Sequence, residues 1–170
     1  IDLAEPLFRD ALELHRVVGT ARGEAMAQGN LALVALQRGR MDEARRRAKQ
    51  AAEAHRSHGN RTPHGVALCT LGCAVLLDGD PQGALKPLEE SVALLRATGM
   101  DFFLAISERD LAVARALNGD LPGAVVMARQ ARASAGRLAM EDLRPVGAAI
   151  LGALLAELAA RSSTSRPPSS

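Results

Sequence analysis

Gly19, Gly59 and Gly99 recur at intervals of 40 residues, and Gly39, Gly79 and Gly119 repeat that interval half a period out of phase. Leu31, Leu71, Leu111 and Leu151 keep the same period, as do Ala4, Ala44, Ala84 and Ala124. A fixed, ungapped period of this length marks a repeat array, in which each unit buries its apolar face against its neighbours. Glycine at both half-periods has a physical reason: a helix ends at least cost where the residue beyond its last turn can become left-handed. Each repeat is therefore two helices.

The expected starts agree with the stops. Thr62-Pro63 and Asp80-Pro81 place a capping oxygen before a proline at the first helical position, and Asp101 and Asp120 are expected to cap in the same way. Between these points apolar residues recur at helical spacing, as in Ala44, Ala48, Ala51 and Ala52 or Leu85, Leu88, Val92 and Leu95. No stretch alternates as a strand would. The pattern predicts a lone helix over 2–18, then pairs at 22–38 with 41–58, 62–77 with 81–97, and 102–117 with 121–136, and a last helix over 141–160. This is an all-α solenoid of antiparallel helix pairs with about eight helices. One domain spans 1–160, with repeats at about 21–60, 61–100 and 101–140 and half-repeats at 1–20 and 141–160. The Ser- and Pro-rich stretch 161–170 is expected to be a disordered tail.

Composition narrows the function classes. Hydrophobic residues make up 48% and charged residues 24%, as in an ordinary folded domain. With 21 basic against 19 acidic residues, the net charge of +2 gives no global pull toward nucleic acid or anionic membrane. Cys69 and Cys73 are too few for a disulfide framework, and no signal peptide or membrane-length apolar run is present, so a reducing cytoplasm is the expected location. The sequence begins at Ile1 inside an expected helix, as a piece of a longer protein would.

A family resemblance rests on particular residues. Leu followed by a small residue on each first helix (Leu31-Ala32, Leu71-Gly72, Leu111-Ala112) precedes a Gly-Arg or Gly-Asp turn and then Ala44, Ala84 or Ala124 on the second helix. Ala51, Ser91 and Ala131 supply the second small position. This pattern resembles the tetratricopeptide motif over nearly the whole chain, and implies a right-handed superhelix that acts as a binding scaffold and not as an enzyme. HEAT-like arrays share the length class but do not explain the recurring turn followed by Ala. Two departures stand out. The period is 40 where the common motif has about 34 residues, and the first aromatic site holds Gln28, Leu68, Glu108 and Ala148. Longer, aromatic-poor repeats of this kind resemble those of bacterial signal-transducing ATPases and large transcription activators, which implies a sensor or interaction module of a larger regulatory protein.

The resemblance also implies where a partner sits. First helices line a concave groove, which places Met26, Asn30, Leu33 and Gln37, then Val66, Cys69, Thr70, Cys73 and Leu77, then Ile106, Arg109, Asp110 and Val113 along it. That lining is apolar with a few polar handles and suits a partner helix or extended peptide. Leu33 and Cys73 stand where a terminal-carboxylate clamp would need polar groups. No cofactor is expected, and Cys69 and Cys73, one turn apart near His55, His58 and His64, read as core thiols and not as metal ligands. His55 falls in register with His15 and so reads as a repeat position. No phosphate-binding loop, nucleophile elbow or metalloprotease motif occurs.

Two further surfaces stand as candidates. Arg45, Arg46, Arg47 and Lys49 make the first full repeat basic, with eight basic against four acidic residues over 21–60. They form an alternative site for nucleic acid or an acidic partner, disfavoured because aromatic residues for stacking are absent. At the other end, Ile150, Leu151, Leu154, Leu155 and Leu158 put apolar residues over more than one stripe of the last helix, which predicts either a homodimer through this end or a longer array.

Overall fold

In the computed structural model, residues 3–137 are described. They form seven helices: α1 (Ala4–Val18), α2 (Ala21–Gln37), α3 (Met41–Ser57), α4 (Arg61–Leu77), α5 (Pro81–Thr98), α6 (Asp101–Leu117) and α7 (Leu121–Arg137). No strand occurs among the described residues. These bounds agree with the sequence periods to within about two residues; the expected eighth helix at 141–160 and the tail lie outside the described residues.

The connections are built alike. Gly19, Gly39, Gly59, Gly79, Gly99 and Gly119 all have positive φ, between 67° and 87°. At each one, the amide of the next residue donates to the carbonyl five positions back, as from Thr20 to His15 (2.9 Å), Arg40 to Ala35 (2.9 Å) and Asp120 to Arg115 (2.9 Å). That same residue then accepts the first bond of the following helix, as Thr20 does from Glu24 (3.0 Å) and Asp120 from Ala124 (3.0 Å). One residue thus closes one helix and opens the next, which leaves only two or three residues between helices and turns the chain back on itself.

Side-chain capping is rarer than expected. Asp80 accepts from Gly83 N at 2.8 Å and Asp120 from Gly123 N at 3.0 Å. Thr62 and Asp101 do not cap: α4 begins at Arg61 with Asn60 at its cap, and α6 begins at Asp101 with Met100 at its cap. The glycine turn, not the acceptor side chain, sets where the helix resumes, and Pro63 sits in the first turn, where no donor is missed. Asp101 instead pairs with Arg137 at 3.0 Å.

Each helix packs on its sequence neighbours, and in addition α2 packs on α4 and α4 on α6, whereas the odd-numbered helices reach one another through side chains, as where Arg96 of α5 donates to Gln130 of α7 at 2.8 Å. The even helices therefore make an inner row, and the odd helices an outer one. Close approach within a pair depends on residue size. Gly72 faces the fully buried Leu88, whose Cγ lies 2.5 Å from where a Cβ on Gly72 would be. In the flanking repeats the corresponding positions are Ala32 with Ala48 and Ala112 with Ala128, so a large residue on one helix is matched by a smaller one on the other.

Polar bridges fill two of the sites where the common motif carries an aromatic. Arg47 donates to Gln28 Oε1 at 2.8 Å. Glu108, only 1% exposed, accepts from Arg96 at 2.8 Å and Ser134 at 2.7 Å. A buried carboxylate is tolerated when it is paired and hydrogen-bonded in this way. Ser91 is buried and joins three helices, donating to Gly65 O at 2.8 Å and bonding Ser107 Oγ at 2.9 Å. At the N-terminal end Glu5 bonds Arg9 at 2.7 Å, Arg40 at 2.8 Å and also Arg38, tying α1 to the turn after α2. One repeat later, Arg45 pairs with Asp78 at the same register with the charges exchanged.

Two stability experiments follow. Gly72→Ala is expected to cost about 1–3 kcal/mol by overpacking, and Leu88→Ala about 2–5 kcal/mol by opening a cavity. The double variant restores an Ala–Ala pair like that of the flanking repeats, so in urea denaturation it should be less destabilised than the sum by about 1 kcal/mol or more; strict additivity would refute the contact. Separately, the guanidinium groups of Arg40 and Arg9 hold the Glu5 carboxyl down at about 2, against an ordinary 4.5. Its stabilising contribution is complete above 4.5 and is lost as pH falls toward 2. Glu5→Gln should therefore lower the thermal midpoint at pH 7, with the gap to the parent chain closing at pH 2.

Candidate functional site

The inner row carries two adjoining clefts. The first, of about 220 Å³, lies between α2, α4 and α6, with Leu33, Leu36, Leu76, Leu77, Phe103 and Ile106 as its apolar walls. Gln37, Cys69, Thr70, Cys73, Arg109 and Asp110 complete it. The second, of about 320 Å³, lies between α2 and α4, is lined by Met26, Asn30, Val66 and Met100 among others, and shares Leu33 and Thr70 with the first. Twelve of the thirteen expected groove residues thus line one trough; Val113, half-buried on α6, lines neither cleft. The trough exists because α2, α4 and α6 carry these residues at the same register, 40 apart. Asn30, Thr70 and Asp110 give one polar side chain per repeat.

Asp110 is the strongest electrostatic feature of the first cleft. It is 7% exposed and accepts from Arg109 Nε at 2.7 Å and from the Cys73 thiol at 2.7 Å. The Cys73 thiol is pushed well above its usual range by its bond with Cys69 and by burial, with the Asp110 carboxylate adding to both. It is accordingly a protonated donor at neutral pH and a poor nucleophile. Among the described residues no group of three or more His, Cys, Asp or Glu side chains could hold a metal ion.

Sequence reasoning missed several lining residues. Leu36, Leu76 and Phe103 complete the first cleft. More consequentially, His55 of α3 reaches between α2 and α4 into the wall of the second. It was read as a repeat position, yet its environment differs from that of its counterpart. His15 Nδ1 bonds Thr20 Oγ1 at 2.7 Å, whereas His55, 2% exposed, has no partner on Nδ1. The signal was present: where the first repeat has Thr20, the second has Asn60.

The other candidate surfaces fare differently. Of the basic run, Arg45 is paired with Asp78, and Arg47 with Glu43 at 2.8 Å and with Gln28, which leaves Arg46 and Lys49 as the exposed cations of the four. The apolar residues Ile150, Leu151, Leu154, Leu155 and Leu158 lie outside the described residues. At the opposite end α1 exposes Leu7, Leu14, Val17 and Val18, and Leu3 is exposed just before it. No described helix is long and apolar enough to cross a membrane.

A family model for the tetratricopeptide repeat matches residues 1–57 and 23–97, and the chain belongs to that family. Tetratricopeptide repeats are generally protein-interaction scaffolds, and the fold is typically non-catalytic. Among solved structures the chain is similar to nearly identical TPR-like repeats of a Podosopora anserina protein assigned as a kinesin light chain, at 19% identity, covering 95% of this chain and 80% of that one with a TM-score of 0.73. A de novo designed helical repeat protein matches at 19% identity, over 90% of this chain and 88% of that one, with a TM-score of 0.41. No curated protein matches the chain.

Two buried histidines, His55 and His64, generate a pH prediction. Burial lowers both His55 and His64 below the ordinary 6.5; His64, His58 and Arg22 add to the effect at His55, while at His64 the Glu90 carboxylate opposes it and Arg56 reinforces it. A histidine kept neutral by folding contributes fully above 6.5, and stability is lost as pH falls below that value toward the lower folded one. Thermal melts followed by circular dichroism should show a lower midpoint at pH 5.5 than at pH 7.5, with a smaller difference in His55→Gln. An unchanged difference would remove His55 from this account.

Proposed function

We propose that this chain is the interaction module of a larger cytoplasmic bacterial regulatory protein and that it holds an apolar helix or extended segment of a partner protein in the trough of α2, α4 and α6. The observation that supports this most is the continuity of the trough: two clefts joined at Leu33 and Thr70, walled by leucine, isoleucine and phenylalanine, with a polar side chain at each repeat. Apolar walls supply affinity, and regularly spaced polar groups fix the register of the bound segment. The regulatory setting rests on the likeness of long, aromatic-poor repeats to those of transcription activators and signalling ATPases.

The test is a displayed-peptide selection on the chain followed by anisotropy titration of the enriched peptides. Leu33→Glu and Ile106→Glu are expected to weaken binding at least tenfold, about 1.4 kcal/mol, with Arg46→Ala neutral. Binding that survives both trough substitutions, falls steeply with salt and is lost in Arg46→Ala/Lys49→Ala would move the function to α3.

A further inference from the structure

On the outer row α3 and α5 flank a third cleft, of about 350 Å³, which shares no lining residue with the trough. Leu68, Leu71 and Val75 of α4 make its apolar floor, and Pro87 of α5 stands in one wall. Its chemistry differs from that of the repeats on either side. Arg16, Arg56 and Arg96 lie 40 residues apart on successive outer helices. Arg16 donates to the Glu24 carboxylate at 3.2 Å and Arg96 to the Glu108 carboxylate at 2.8 Å, in each case on the inner helix that follows. In the middle repeat the positions of Glu24 and Glu108 hold His64 and Leu68, and Arg56 makes no hydrogen bond or ion pair among the described residues. The cation of this joint is present without its carboxylate, at the edge of an apolar cleft.

We propose that this outer cleft is a binding site for a small organic monocarboxylate with an apolar body of about two rings, its carboxylate held by Arg56 and its body laid on Leu68, Leu71 and Val75. The flanking repeats supply the chemistry, since an arginine in this register takes a carboxylate in both, and the planar guanidinium fork matches that group. Size agrees with the class. A cavity of about 150 Å³ accepts benzene, so about 350 Å³ holds a fused two-ring system, and covering the leucine floor supplies affinity. Charge sets the limit at one. Lys49, Arg56 and Lys86 line the cleft against Glu53 and Glu90, and burial keeps His64 neutral at neutral pH, so a single negative charge balances the site. A chain of phosphates would meet both glutamates, and like charges in contact are repelled.

The probes are 2-naphthoate and its uncharged amide, 2-naphthamide, titrated at pH 7.5 into the whole chain and followed by ligand fluorescence, which the protein does not obscure because it has no Trp or Tyr. Saturable one-to-one binding of 2-naphthoate is expected, about fivefold tighter than 2-naphthamide, the scale of one half-exposed ion pair. Arg56→Gln should erase that preference and leave amide binding intact. Leu68→Glu, which copies Glu108 of the next repeat, should pair with Arg56 and weaken 2-naphthoate at least tenfold. Pro87→Phe, made at a half-buried position of α5, should fill the cleft and weaken both probes as much, with far-ultraviolet circular dichroism confirming that each variant is folded. Failure of 2-naphthoate to saturate at millimolar concentration, equal affinity for the two probes, a preference that survives Arg56→Gln, or binding that survives Pro87→Phe would each overturn the proposal. Peptide capture in the trough is read by Leu33→Glu and Ile106→Glu, and none of these outcomes bears on it.

Discussion

The arrangement depends on a backbone constraint that recurs every twentieth residue. A glycine in the left-handed region ends each helix, its neighbour returns a hydrogen bond to the last turn, and that neighbour's carbonyl starts the next helix. Because closure and restart share one residue, the connections are too short to wander, and successive helices must lie antiparallel and in contact. Side-chain caps add to this only at Asp80 and Asp120. Everything further up follows from the spacing, including the inner row of α2, α4 and α6 and the presentation of equivalent residues 40 apart along one trough.

Regular closure permits irregular filling. The small position on the first helix and the position it faces on the second trade volume, with Gly72 against Leu88 where the flanking repeats pair Ala32 with Ala48 and Ala112 with Ala128. The site left without its aromatic is bridged by Arg47 to Gln28 in one repeat, holds Leu68 in the next, and is occupied by Glu108 with Arg96 and Ser134 in the third. The ion pair between α1 and the turn after α2 reappears a repeat later with its charges exchanged. Such substitutions keep the geometry of each joint while making its chemistry unlike that of its neighbours, so one repeat does not readily stack in the place of another.

How much of this was legible depended on how local its cause is. The ends of the described helices could be read because a left-handed closing residue strongly favours glycine, and the period then locates each copy. The placement of Met26, Asn30, Leu33, Thr70, Cys73, Ile106 and Asp110 along one trough was legible for the same reason, given which helix of a pair faces inward. Thr62 and Asp101 were misread as caps because a side chain that can cap competes with a glycine turn that has already fixed the helix start. Polar bridges such as Arg96 to Glu108, 12 residues apart, and Ser134 to Glu108, 26 apart, leave no local trace. His55 was visible as a repeat residue, but its isolation depends on the replacement of Thr20 by Asn60 and on how deeply α3 sinks between α2 and α4.

The two rows also differ mechanically. Close backbone packing runs along the inner row from α2 to α4 to α6, while outer helices are bridged by long side chains, as from Arg96 of α5 to Gln130 of α7. The solenoid is thus closely jointed along its inner row and more loosely bridged along its outer one. Spreading the outer row breaks side-chain bridges such as that from Arg96 to Gln130, whereas the distances among Asn30, Thr70 and Asp110 change only if the packed joints themselves slide. Curvature is therefore the soft coordinate of this molecule and the pitch of its polar handles the stiff one.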